Sequence, residues 1–131
     1  MKFLLDANAV IALLNGHPAM NNRIRIEHPS DIGLPAIVAH ELYYGAFKSE
    51  RQDRNVGLVD ALQFEVLTFD QEDARQAGAI RDELAKQGRP IGPYDILIAG
   101  QAKARGLTLV THNVAEFNRV TGLVIEDWEA T

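Results

Sequence analysis

The chain contains no cysteine. Disulfides and thiolate metal ligands are therefore excluded. The absence is compatible with a reducing cytoplasm, where the protein is expected to act. It also lacks an excess of positive charge: 13 Lys and Arg face 18 Asp and Glu, a net charge of −5. This counts against binding of nucleic acid by overall electrostatic attraction, although local cations can still hold a phosphate backbone. No apolar run approaches the roughly 20 residues that span a bilayer, so no membrane segment is expected. An acid at position 6 interrupts the opening apolar stretch, which therefore does not read as a secretory leader. Neither Ser30 nor Ser49 lies in a nucleophile-elbow context, so serine and cysteine nucleophile chemistry both drop out. There is no repeat, low-complexity tract or linker.

What is present is the composition of a globular protein: 131 residues, 47% hydrophobic and 24% charged. One domain over residues 1–131 is expected. Short apolar runs alternate with helical periodicity. Phe3 to Leu5, Ile32 to Pro35, Phe64 to Phe69, Leu107 to Thr111 and Leu123 to Ile125 read as strands. Asn8 to Asn15, Ala19 to Glu27, Ala36 to Phe47, Asp53 to Leu62, Gln71 to Gln87, Asp95 to Arg105 and Ala115 to Val120 read as helices. Asp70 is the expected cap of the longest, whose apolar stripe is Ala74, Ala77, Ile80, Leu84 and Ala85. Gly88 to Tyr94 holds two prolines and two glycines and is expected to be a stiff loop. Alternating strands and helices imply an α/β fold with a mainly parallel central sheet.

Four acids stand against apolar sequence. Asp6 closes Phe3-Leu4-Leu5. Glu41 lies between Ile37-Val38-Ala39 and Leu42-Tyr43-Tyr44. Asp95 precedes Ile96-Leu97-Ile98-Ala99, and Glu116 follows the run Leu107 to Thr111. A carboxylate buried in such a setting is costly without a neutralising partner. Asp6 and the residues Thr111, His112 and Asn113 each follow a strand, where parallel sheets bind ligands. If the four acids meet there, they raise one another's pKa values and call for a cation. An all-oxygen site selects magnesium or manganese, and such ions lower the pKa of a bound water and stabilise a phosphodiester under attack. Each acid also has a plainer reading. Asp6 and Asp95 suit helix caps, Glu41 a snorkelling helix residue, and Glu116 a surface acid.

The stretches Phe3-Leu4-Leu5-Asp6-Ala7-Asn8, Glu41-Leu42-Tyr43-Tyr44-Gly45-Ala46, Gly88 to Gly100, and Leu109 to Asn113 with Glu116 to Val120 resemble the PIN-domain family. Within it they are most similar to the VapC toxins of toxin–antitoxin pairs. The resemblance runs over nearly the whole chain, and the ending Glu126-Asp127-Trp128 fits it. It implies a three-layer α/β/α sandwich and a metal-dependent endoribonuclease. It implies Mg2+ or Mn2+ on Asp6, Glu41 and Asp95, with Glu116 as a further catalytic acid. Asn8, Thr111, His112 and Asn113 are expected to support the metal or contact RNA. The implied partners are a cognate VapB-type antitoxin, a second copy of the chain, and RNA. Its subgroup is associated with tRNA cleavage, in some members of initiator tRNA. Charge complementarity predicts that the antitoxin fills the acidic cleft with an Arg or Lys.

Two departures from the family pattern stand out. Ala7 replaces a common hydroxyl after the first acid, and Asn113 stands where many relatives have an acid. They keep open a rival reading as a catalytically weakened binding module. A receiver-like phosphorelay domain fails, because Asp6 has no acidic neighbour and no Lys follows the late strand. His40 is expected on a separate face from Glu41, and Tyr94 is expected to pack under the proline-rich loop. The candidate RNA-binding cations are Arg23 and Arg25, Lys48 with Arg51 and Arg54, Lys103 with Arg105, and Arg119, each set against a solvated helix face.

Overall fold

The computed structural model describes residues 1–130. Five strands form one sheet: β1 (Phe3–Leu5), β2 (Ile32–Pro35), β3 (Glu65–Leu67), β4 (Thr108–Val110) and β5 (Ile125–Glu126). Their order is β3-β2-β1-β4-β5, and every pairing is parallel rather than mainly so. Parallel strands covered on both faces read as continuous apolar runs, and β1, β2 and β4 do. Phe3, Leu4, Leu5, Ile32, Leu34, Leu109 and Val110 are all buried.

The helices are α1 (Ala7–Leu14), α2 (Pro18–Ile26), α3 (Ala36–Lys48), α4 (Gln52–Asp60), α5 (Gln71–Lys86), α6 (Pro93–Arg105) and α7 (Val114–Phe117), with a 3-10 turn at Pro29–Asp31. With strand order β3-β2-β1-β4-β5, the right-handed crossover rule assigns α1 to α4 to one face of the sheet and α5 to α7 to the other. In keeping with this, α1 packs against α2 and α3, α3 along α4, and α5 along α6. Among the described residues no helix is long and apolar enough to cross a membrane.

Several boundaries differ from expectation for local reasons. Helix α6 begins at Pro93, with Gly92 as its cap. A proline at the first helical position lacks only an N–H that would have no partner anyway. Asp95 therefore lies inside the first turn and is not the cap. Strand β3 keeps only three residues, and as an edge strand it leaves Glu65 and Val66 exposed. Strand β5 forms at Ile125–Glu126 rather than Leu123 to Ile125, in register with Leu109 and Val110. The buried face of α5 is Asp73, Ala77, Ile80 and Leu84, whereas Ala74 and Ala85 are exposed. Asp73 takes the place expected of Ala74 because it completes a capping box with Asp70 and receives Arg105 Nη2 at 2.9 Å and Gln101 Nε2 at 3.1 Å. Burial works against its charge, but these donors outweigh it and hold its pKa below the usual value.

Candidate active site

The chain runs outward from β1 to β2 and β3, then returns across the sheet to β4 and β5. The order reverses between β1 and β4, and ligands bind at such a switch point beyond the strand ends. Leu5 is paired with Val110 there, so Asp6 and Thr111 emerge side by side. Asp6 is only 4% exposed. Its Oδ1 accepts from Ala9 N at 2.8 Å, capping α1, and its Oδ2 accepts from the Thr111 hydroxyl at 2.6 Å. The cap reading and the site reading of Asp6 are thus one arrangement. Burial raises its pKa, partly countered by the Thr111 and Ala9 hydrogen bonds.

From Thr111 a chain of hydrogen bonds leads to the other acids. Asn113 N donates to Thr111 Oγ1 at 3.0 Å, and Asn113 Nδ2 donates to Glu116 Oε2 at 2.6 Å. Glu116 Oε1 accepts from Gly92 N at 2.9 Å. The Gly92 N–H and then Asn113 keep the Glu116 pKa low. Asp95 is pushed up to about 7, by burial first and by the Glu116 charge next, with smaller contributions from Asp6 and Glu41. Burial and mutual repulsion thus favour keeping a proton on the Asp95–Glu116 pair. Glu116 is therefore no plain surface acid. Gly92 permits this approach: a Cβ there would lie 3.1 Å from Asp95 Oδ2 and 3.8 Å from Glu116 Oε1.

Glu41, in the second turn of α3, differs from the others. Its Oε1 is buried without a hydrogen-bond partner. Burial and then the Asp6 charge raise its pKa. A carboxylate oxygen stranded beside two further acids suits a hard cation, and the donor set is all oxygen. On this ground the residues fit a divalent ion.

The remaining sequence candidates sit at the rim. Asn8 and His112 are exposed and line a shallow hollow with Asn113 and Glu129. His112 Nδ1 lies 3.0 Å from Asp127 Oδ2. One ligand atom each from His112, Asp127 and Glu129 falls within 4.8 Å of the others, a second place where a cation could be held. The sequence reading gave Asp127 and Glu129 no role in the site, and it missed the Gly92 N–H. Only the Gly-Pro-Tyr-Asp order marked Gly92, and its partner Glu116 is 24 positions away. Tyr94 corrects an expectation: it is 47% exposed and meets His40 edge-to-face at 5.7 Å, not packed under the loop. Pro93 enters the helix, and the first turn then carries Tyr94 outward. His40 is exposed on α3 but lines the same hollow as Glu41 rather than a separate face.

Three of the four candidate groups of cations are largely committed within the chain. Arg23 pairs with Glu27 and Glu126 and covers the Trp128 ring at 4.6 Å. Lys103 donates to Thr121 O, Arg105 to Asp73, and Arg119 to Pro90 O. Among the described residues, Lys48, Arg51 and Arg54 form no ion pair.

Comparison with known proteins agrees with this geometry. Residues 3–123 match the PIN domain family. The chain is 41% identical over 131 residues to a "tRNA(fMet)-specific endonuclease VapC" of Shigella flexneri, and 42% identical over 131 residues to the protein of that name from Salmonella typhimurium. Both alignments cover 98% of each chain. The fold superimposes with a TM-score of 0.92, at 41% identity and 98% coverage of each chain, on a crystal structure of DNA-bound VapBC from Salmonella typhimurium.

Proposed function

The chain belongs to the PIN domain family, and we propose that it is the ribonuclease toxin of a VapBC-type pair, an endonuclease that hydrolyses RNA phosphodiester bonds with magnesium or manganese. The observation that carries this reading is Glu41 Oε1, buried and unpartnered beside Asp6 and Asp95 at the switch point of the sheet. We read residues 1–131 as a single PIN domain working in the cytoplasm as a homodimer. The names of the relatives support tRNA, initiator tRNA in particular, as the substrate.

Asp6, Glu41 and Asp95 would hold the cation. When bound, it supplies charge stabilisation on the phosphodiester and a nucleophilic water at neutral pH. Thr111 and Ala9 N fix the Asp6 carboxylate in one orientation. Gly92 N and Asn113 fix Glu116 as a carboxylate beside Asp95. Asp95 would hold a cation as the carboxylate, so binding would be favoured as pH rises and the raised carboxyl ionises. The rival reading, a weakened binding module, rested on Ala7 and Asn113. Asp6 is oriented without a hydroxyl at position 7, and Asn113 positions Glu116, so both arguments lose force. The antitoxin would answer the same charge by placing an Arg or Lys among the acids.

The test is end-mapping of cellular RNA after induction, with Asp6→Asn and Asp95→Asn as controls. New 5′ ends should appear with the wild type, vanish with either variant, and be abolished in vitro by chelator. Cleavage by purified double mutant at the wild-type rate in magnesium would sink the assignment.

A further inference from the structure

Two rings stand in the open beside the acids. Tyr44 is 63% exposed and Tyr94 47% exposed. With His40 and Glu41 they line a cavity of about 420 Å³, within the usual range for small-ligand sites. Each ring is tied to an acid by its own helix. Tyr44 follows Glu41 by three residues on α3, close to one turn. Tyr94 immediately precedes Asp95 on α6. His40 bridges the two helices through its edge-to-face contact with Tyr94 at 5.7 Å. Along α3, His40, Tyr44, Phe47 and Lys48 share the exposed face, while Ala39, Leu42 and Ala46 turn into the core. The Lys48 ammonium sits 5.8 Å from the Tyr44 ring centre and, like Arg51 and Arg54 beyond it, has no carboxylate partner among the described residues.

We propose that this cavity is a base-docking site: an unpaired nucleobase next to the scissile phosphate stacks on Tyr94 and Tyr44, and Lys48 holds a neighbouring phosphate. The inference rests on the ribonuclease reading above and deepens it. A strand whose phosphate lies at Asp6, Glu41 and Asp95 brings its adjoining nucleotide within reach of the rim that Glu41 shares with the two tyrosines. Aromatic faces receive any base, and a cation beside them holds the backbone, the combination that single-stranded RNA sites use. The walls are two phenols, an imidazole and a carboxylate. An aliphatic peptide face finds a better complement in the adjoining groove, which shares Glu41 but is lined mainly by Ile11, Leu14, Leu42, Leu58 and Val59. The cavity therefore fits a flat polar ring in preference to a protein side chain.

The probe is a short single-stranded RNA of mixed sequence carrying one 2-aminopurine, titrated into the full-length Asp6→Asn protein. Stacking should quench the fluorophore at one position, and quenching should be lost when Tyr44→Ala and Tyr94→Ala are added. In the active protein each alanine should raise KM by about 5- to 100-fold, the usual effect of losing one stacking ring, with kcat nearly unchanged. Tyr94→Phe and Tyr44→Phe should retain wild-type KM, since the ring remains. Wild-type KM and quenching in the Tyr44→Ala/Tyr94→Ala double variant overturn the proposal. So does a variant that loses self-association or antitoxin binding while KM stays fixed, which would assign the rings to a protein contact. The quenching reads base docking without turnover. An RNA that docks but is never cut in magnesium faults the ribonuclease reading alone. Normal cleavage by the double alanine variant faults the base site alone.

Discussion

The Thr111 hydroxyl donates a 2.6 Å hydrogen bond to Asp6 Oδ2, joining the ends of β1 and β4. The same hydroxyl oxygen accepts from Asn113 N at 3.0 Å, so one side chain orients the first acid and starts the turn that leads to Glu116. Thr111→Val keeps the shape but leaves Asp6 Oδ2 and Asn113 N without this partner. The expected loss is about 1–3 kcal/mol of stability, the cost of stranding a buried polar group. The Asp6 pKa should also rise further, because a hydrogen bond that lowers it is gone. Urea unfolding should show the lost stability, and the pH profile of RNA cleavage should move to higher pH. Thr111→Ser should restore both. A valine variant matching wild type in midpoint and profile would remove Thr111 from the site.

Burial and the Glu116 charge push Asp95 up to about 7 in the folded chain, from 3.8 for the free side chain. Between those values the folded state binds more protons than the unfolded one, so stability of the metal-free protein falls as pH rises. Asp6 and Glu41, also raised, push in the same direction. Glu116 is lowered from 4.5, so its contribution is complete above that value and fades only in more acid solution. In EDTA, the Tm should therefore drop from roughly pH 5 to roughly pH 8, and Asp95→Asn should flatten much of that slope. A wild-type Tm that climbs steadily over this range contradicts a proton kept on the Asp95–Glu116 pair.

The sequence shows Asp6, Glu41 and Asp95 as acids set in apolar runs, and the central strands as those runs themselves. Burial on both sides of a parallel sheet writes a continuous signal that needs no partner to be read. What fixes Glu116 was hidden because its donor, Gly92 N, is a backbone group 24 positions away. Tyr94 was misplaced because two prolines suggested a loop, whereas Pro93 begins α6. On α5, helical spacing favoured Ala74 as the buried position. Asp73 takes it, because Arg105 and Gln101, far along the chain, neutralise and bond its carboxylate. Local pattern thus located the acids, and long-range polar partners decided their states.

Glu41→Gln separates the cost of the site from its use. Glu41 Oε1 has no partner, and the Asp6 charge disfavours its ionised form. Removing that charge should raise the Tm of the metal-free protein at neutral pH by about 3 °C, the shift expected for somewhat under 1 kcal/mol in a chain of this size. The same variant should lose most of the Tm gain expected when a divalent cation is added to the wild type, because a ligand that binds only the folded state stabilises it by an amount that grows with affinity. Thermal melts with and without metal check both effects. An undiminished metal-dependent gain would exclude Glu41 from the ligand set.

Gly100 is a point of close approach of α6 to α5, and it links packing to the site. A Cβ at Gly100 would lie 2.6 Å from Ala77 Cβ, 2.6 Å from Ala77 N and 2.7 Å from Ala77 Cα. Two of those three atoms belong to the backbone, so the helices must part. Gly100→Ala should cost about 1–3 kcal/mol by overpacking, read from urea unfolding. Adding Ala77→Gly removes one contact and leaves the backbone clashes, so the double variant should recover little stability. A helix that shifts here also carries Asp95, which lies on its first turn. Cleavage by Gly100→Ala, measured where the protein is still fully folded, should fall along with metal affinity. Full recovery of stability on adding Ala77→Gly would mean that the side chains alone set the spacing, and that the backbones of α5 and α6 are not in contact there.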